Sequence, residues 1–232
     1  MKFLFIHQNF PGQFQHLVPQ LVREGHEVVG LKIGQPGEYV GHGVKVVNYA
    51  VSGGNGTNVH PWVSDFETKI IRAEACFEAC MKIKKQGYKP DVIVAHPGWG
   101  ESIFVKDVWP DVPVGIYCEF FYKKDGADVG FDKEFSPKDL DRDACRLRLK
   151  NINNFLHFDI ADFGLSPTQW QASTFPEPFR SKITVIHDGI DTDSLKPNKN
   201  VTLRIKTKPG QEVTLSNEHE IITFVNRNFE PY

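Results

Sequence analysis

The segment His96-Pro97-Gly98-Trp99-Gly100-Glu101 brings an imidazole, an indole and a carboxylate together. Imidazole gains and loses its proton near neutral pH, so His96 suits acid-base work or a hydrogen bond to a hydroxyl. The indole of Trp99 offers a flat apolar face on which the C–H groups of a sugar can lie. The plainer alternative is a histidine satisfied inside a turn and a tryptophan packed on a neighbouring loop, and the residues by themselves weigh the two equally. Glu119, in Tyr117-Cys118-Glu119-Phe120-Phe121, is a carboxylate among aromatics. It suits proton transfer or the binding of a hydroxyl, against the alternative of a strand-end residue turned to solvent. Gln8 to Gln13 carries Pro11-Gly12-Gln13. A glycine at a helix entrance lets a ligand come close to backbone amides that favour anions, which would set Gly12 and Gln13 against a phosphate or a sugar. GxGxxG is absent and a single Pro-Gly is weak, so the residues alone favour an ordinary strand-to-helix turn. Arg227, in Asn226-Arg227-Asn228, follows an apolar run and has the fork geometry that holds a diphosphate, or is simply an exposed arginine.

Positioning these groups requires a scaffold, and the chain supplies an alternating one. A continuous apolar run at Phe3 to His7 predicts a central buried strand, and Glu27 to Ile33, Val44 to Tyr49, Asp91 to Ala95, Val112 to Phe121, Ala161 to Leu165 and Ile183 to Ile186 read as further strands. Helical spacing separates them. Phe14, Leu17, Val18, Leu21 and Val22 predict a helix that Pro19 kinks or delays and Gly25 ends. Ser64 and Glu67 predict a capping box for a helix running to Gly87. Ser136-Pro137-Lys138-Asp139 predicts another helix start, with Leu140, Ala144, Leu147 and Phe155 at core spacing. Ser166-Pro167-Thr168-Gln169 predicts a short helix carrying Trp170. Gln35-Pro36-Gly37 and Gly41-His42-Gly43 read as loops, Ser52 to Asn58 as a mobile glycine-rich loop, and Lys123 to Phe135 as an exposed excursion. Strands alternating with helices predict an α/β, Rossmann-like, mostly parallel sheet with helices on both faces. Ligands of such sheets lie outside the carboxyl ends of the strands. That rule selects the loops at Gln8, His96, Glu119 and Ser166.

Thr184-Val185-Ile186-His187-Asp188-Gly189-Ile190-Asp191 reads as a strand entering a turn at a domain edge, followed by a polar linker. A hairpin from Val201 to Leu215 and an apolar strand from Ile221 to Val225 form a short β-rich tail. The division expected is residues 1–195 as one domain and 196–232 as linker, hairpin and first strand of a further domain. The chain has 232 residues, 40% of them hydrophobic, with 27 Lys and Arg against 29 Asp and Glu. The basic residues are scattered, which argues against a nucleic-acid partner. Cys76, Cys80, Cys118 and Cys145 form no CxxC pair, so buried free thiols are expected rather than a metal or redox site. The apolar start Met1 to Ile6 is too short for a signal peptide and no run approaches a membrane span. A cytoplasmic protein is expected, and peripheral attachment to the inner face of a membrane is compatible with it.

The octet resembles the "V-I-P-N-G-V-D" signature that closes the N-terminal domain of glycosyltransferase family 4 enzymes, with His187 and Asp188 where Pro and Asn are usual. Gly25-His26-Glu27-Val28 is similar to the family's "G-H-E-V", and Pro11-Gly12-Gln13 to its "P-G-G". The resemblance implies the N-terminal, acceptor-side half of a GT-B enzyme that moves a sugar from a nucleotide-sugar donor, UDP- or GDP-linked, to a saccharide or lipid-linked acceptor. It also implies retention of configuration, no cofactor and no metal, in keeping with the absence of a DxD motif. Under it, Glu119 and His96 are the catalytic candidates, and Gly12, Gln13, Gly98, Trp99 and Arg227 bind donor or acceptor. Glu119 stands near the point where many members carry a histidine. The nucleotide pocket belongs to the second domain, so residues 1–232 alone are expected to be inactive and to bind donor weakly. A nucleotide-sugar epimerase of the same architecture, or a free-standing domain binding a small anion or glycan, are the alternatives.

Overall fold

The structure is a computed structural model that describes residues 1–124 and 139–222. It separates into a unit spanning Met1–Asp188 and a second one from Gly189 onward. In the first, β1 (Lys2–Ile6), β2 (Glu27–Ile33), β3 (Gly37–Gly41), β4 (Val44–Tyr49), β5 (Val92–Ala95), β6 (Val114–Tyr117), β7 (Phe163–Ser166) and β8 (Ile183–Val185) form one sheet. Its order is β3-β4-β2-β1-β5-β6-β7-β8. All neighbours pair in parallel except β3 with β4.

The helices are α1 (Leu17–Arg23), α2 (Ser64–Lys85), α3 (Val105–Val108), α4 (Leu140–Lys150), α5 (Ile152–Ile160) and α6 (Gln169–Thr174). Successive residues of β1 point to opposite faces, and each face has its own core. Leu4 and Ile6 join Cys76, Cys80, Ile83, Val108 and Phe179 on one side. Phe5 joins Phe10, Phe14, Val18 and Val28 on the other. A central strand buried on both sides needs the continuous apolar run that the N-terminus carries.

Several expectations need correction. Gly37–Gly41 is an antiparallel edge strand, not a loop; it pairs with β4 through a turn in which His42 and Gly43 have φ of 51° and 78°. Ser64 and Glu67 form no capping box. The Asn55 amide donates to the Ser64 hydroxyl at 2.6 Å, and the Gly56 N–H donates to Glu67 at 3.1 Å. Those bonds tie Asn55 and Gly56 of the glycine-rich loop to α2. The helix placed from Pro137 through Phe155 is two helices that meet at Asn151, and Asp139 caps the first by accepting from the Arg142 N–H at 3.0 Å. Leu147 alone of its four core positions is deeply buried, while Leu140 and Phe155 are exposed. Cys145 is exposed, unlike the other three cysteines. Pro19 falls in the first turn of a late-starting α1, where its missing N–H costs nothing.

The second unit holds an antiparallel hairpin, β9 (Leu203–Lys208) with β10 (Gln211–Leu215). The strand expected from Ile221 lies largely outside the described residues, as does most of the Lys123 to Phe135 excursion.

Candidate active site

The chain leaves β1 toward β2 and β4 on one side, then returns through β5 to β6, β7 and β8 on the other. The reversal falls between β1 and β5, and a crevice opens at the carboxyl ends of such a pair. His7 and His96 stand just past those two ends. Their ring centroids lie 5.3 Å apart.

Hydrogen bonds fix the tautomer of each ring. The Asn9 N–H donates to His7 Nδ1 at 2.9 Å, which leaves Nε2–H to donate to Gln13 Oε1 at 2.6 Å. Burial, helped by neighbouring His96, lowers the His7 pKa to about 4, so the ring is neutral at physiological pH. In the same way the Gly98 N–H donates to His96 Nδ1 at 3.1 Å, and Nε2–H donates to Glu119 Oε2 at 3.0 Å. Both His96 nitrogens are therefore engaged by the protein, and its imidazole holds the carboxylate rather than a ligand hydroxyl. Glu119 has 44% of its side chain exposed, so the aromatics beside it leave the carboxylate open to the cleft.

The other expected site residues fall into three groups. Trp99 packs on the imidazoles, with centroids 4.6 Å from His96 and 5.0 Å from His7, and stays half-buried. Gly12 and Gln13 act through His7. A Cβ on Gly12, where φ is +50°, would lie 2.3 Å from the His7 ring. The glycine is thus needed for the imidazole, beyond any approach to a ligand. Gly98 lines the cleft but spends its N–H on His96. Arg227 lies outside the described residues.

The strand-to-helix loop after β6 is held from behind by buried asparagines of α5 and its N-terminus. The Tyr122 N–H donates to Asn151 Oδ1 at 3.0 Å while the Asn151 amide donates to Tyr122 O at 2.7 Å. Asn154 donates to Phe120 O at 3.3 Å and Asn153 to Pro97 O at 2.8 Å. His157, fully buried, donates from Nδ1 to Asn153 O at 2.7 Å and accepts from the Ser102 hydroxyl at 2.8 Å. Burial lowers its pKa to about 4. These polar residues, with His7 and Tyr117, were not picked out in the sequence. The run Asn151-Ile152-Asn153-Asn154 is unusual within a helical pattern and was the available signal.

The resulting cleft is a small one, with a volume of about 60 Å³. His96, Tyr117, Glu119, Tyr122, Lys69 and Lys150 are among the residues that line it. A carboxylate held by a fixed imidazole in a polar and aromatic cleft can accept the hydrogen of a substrate hydroxyl. Among the described residues no three His, Cys, Asp or Glu side chains gather as a metal site, and no helix is long and apolar enough to cross a membrane.

Solved structures that share this fold include glycosyltransferases. UGT2 of Phytolacca americana, complexed with UDP-2fluoro-glucose and pterostilbene, aligns with a TM-score of 0.51 at 11% identity, over 80% of this chain and 54% of its own. Os79 of O. sativa, in complex with UDP and deoxynivalenol-3-glucoside, aligns with a TM-score of 0.52 at 12% identity, over 83% of this chain and 53% of its own. The chain spans about half the length of these structures. A search of the curated proteins finds no match. The family model described as "Glycosyl transferase family 4 group" matches residues 24–195, most of the sheet and the whole His96–Glu119 cleft, and the chain belongs to that family.

Proposed function

We propose that this chain is the acceptor-side part of a glycosyltransferase that moves a sugar from a UDP- or GDP-sugar to a saccharide or lipid-linked acceptor, with retention and without a metal. The observation that carries the reading is the His96–Glu119 pair, which presents a carboxylate at the switch point of the sheet. Family membership and a fold shared with structures that hold UDP or a UDP-sugar support a nucleotide-sugar donor. In this reading the acceptor hydroxyl hydrogen-bonds Glu119. The new bond forms from its oxygen to the anomeric carbon on the face from which the diphosphate departs, so configuration is retained, and the hydroxyl proton passes to the Glu119 carboxylate in the same step. His96 is a positioning residue that aims the carboxylate. The donor's nucleotide is assigned to a second domain, with residues 196–232 as the link and Arg227 toward the diphosphate; residues 1–232 alone are then inactive. A cytoplasmic location, with or without contact at the inner membrane face, belongs to the same proposal.

The test is sugar transfer by the complete protein and its Glu119→Gln variant, read by mass spectrometry of the acceptor. Loss of about 10²-fold or more in kcat is expected for general-base work. Unchanged transfer by the variant would remove Glu119 from the chemistry, and absence of any transfer across UDP- and GDP-sugars would sink the assignment.

A further inference from the structure

Past Glu119 the wall of the cleft turns basic. Lys69 on α2 and Lys150 at the end of α4 both line it. Lys69 is buried and pairs with Asp65 one turn earlier. Burial lowers its pKa, Asp65 opposes that, and the like charges of Lys150 and Arg72 lower it further. Lys150 rests its ammonium on the Tyr122 ring, 4.1 Å from the centroid. A second depression of about 340 Å³ adjoins, lined by Trp62, Asp65, Arg146 and Lys150 among others. Lys150 belongs to both, and the Lys69–Asp65 pair straddles them, with Lys69 on one side and Asp65 on the other. The two depressions thus meet at Lys150, and the surface from the His96–Glu119 pair past Tyr122 to Trp62 is taken together as one groove.

Its chemistry is uneven. The carboxylates along it are engaged, Asp65 by Lys69 and Glu119 by His96, and Arg146 is paired with Asp143 at 2.7 Å. The recorded contact of Lys150 is an aromatic face, and the Arg142 guanidinium likewise sits 5.7 Å from the centre of the Trp62 ring. Cations resting on ring faces above a groove can exchange that contact for a stronger charge-assisted bond when an anion arrives. The ring faces that they cover are then left for the apolar side of a sugar.

We infer that this groove is an acceptor subsite selective for an acidic saccharide, one whose carboxylate or phosphate is held by Lys150 and Lys69 while a sugar ring lies toward Tyr122 or Trp62. The inference rests on the glycosyl-transfer reading of the adjoining pair, but binding can be tested without transfer. The 232-residue chain would be titrated calorimetrically with a glucuronate-terminated disaccharide, a hexose phosphate and the neutral parent disaccharide. At least one acidic ligand is expected to bind about tenfold more tightly than the neutral one. The carboxylate and phosphate arms say which acid is preferred. Lys150→Gln should erase the preference, and Trp62→Ala should weaken acidic and neutral ligands alike. If Lys150→Gln fails to fold, the unaltered chain decides: raising ionic strength from about 0.05 to about 0.5 M should remove most of the preference. Equal affinity for neutral and acidic ligands, a preference indifferent to salt, or one that survives in folded Lys150→Gln would overturn the inference. Transfer by the complete protein to neutral sugars, without acidic preference, would refute the subsite and leave the transferase intact. Acid-selective, Lys150-dependent binding without transfer would do the opposite.

Discussion

The Tyr117 hydroxyl donates to the Asp188 carboxylate, 2.9 and 2.8 Å from its two oxygens, and so joins the end of β6 to the turn that closes the first unit. The same tyrosine stacks on His96 at 5.4 Å, with the rings 26° apart. Burial and the Asp188 carboxylate both raise the pKa of the phenol, which keeps it protonated as a donor. Tyr117→Phe removes that donor but keeps the ring. Because Asp188 is solvent-exposed, the bond is placed at the low end for one to a charged group, about 1 kcal/mol. Urea denaturation should show that loss in Tyr117→Phe. Asp188→Asn, which installs the residue the family signature carries and keeps an acceptor, should cost less. Equal losses in both variants would mean that the charge, not the donor, matters here.

Stability should depend on pH in two opposed ways. His7 and His157 have folded pKa values near 4, below the ordinary histidine value of 6.5. The unfolded chain binds more protons than the folded one between those values, so their contribution is complete above about pH 6.5 and is lost as pH falls toward 4. Glu101 behaves in the reverse sense. It is 1% exposed, neither carboxyl oxygen has a hydrogen-bond partner, and burial raises its pKa to about 7. Its folded form keeps the proton longer, so its contribution is present below the unfolded pKa of 4.5 and is lost as pH rises through 7. Each group changes stability by up to about 1.4 kcal/mol per pH unit inside its window. The native protein should therefore destabilise gently on acidification from pH 6.5 to 4.5, where one term of the three cancels another. Glu101→Gln should steepen that loss and should raise stability at pH 8, by on the order of 2–3 kcal/mol. Denaturation midpoints from pH 4 to 8 in both proteins check this, and a variant less stable than the parent at pH 8 would contradict it.

Two glycines with positive φ should respond differently to alanine. Gly12 has φ +50° and His7 ring atoms 2.3 Å from a would-be Cβ, whereas Gly25 has φ +82° and nothing within 4 Å. Gly25→Ala should cost only backbone strain, about 1–2 kcal/mol. Gly12→Ala must in addition move the imidazole and break its bond to Gln13. The histidine resonances of His7 and His96 should shift in Gly12→Ala and stay in place in Gly25→Ala.

The parts of the fold that were legible are those where local pattern and burial coincide. β1, β2, β4 and β5 are rich in β-branched and apolar residues because helices cover both faces, and Gly25 and Thr168 mark helix ends by their own chemistry. β3 was not legible. Its residues are exposed, with glycines at both ends, and its pairing to β4 across Glu38 and Lys45, 2.9 Å apart, depends on a partner strand. In the site, His96 and Glu119 were readable as polar groups at strand ends. His7 was hidden as the last residue of an apolar run, and the buried asparagines were hidden because their partners lie at Pro97, Phe120 and Tyr122, far away in sequence. Contacts between distant loops leave no local period.

Those asparagines carry the last expectation. Asn151 is buried and takes both backbone groups of Tyr122, so it holds the loop that presents Glu119 at two points. Asn151→Ala leaves a buried N–H and C=O without their partner, at about 1–3 kcal/mol for each group left unsatisfied. Water can relieve part of that only if the loop opens. Amide exchange at Phe120 to Tyr122 should then quicken by more than global unfolding allows, and saccharide binding should weaken even where the fold survives. Asn151→Asp keeps the acceptor for the Tyr122 N–H and loses the donor to Tyr122 O, so it should fall between the two. If exchange at Tyr122 rises only in step with the loss of global stability, the asparagine supports the helix junction at residue 151 and does not position Glu119.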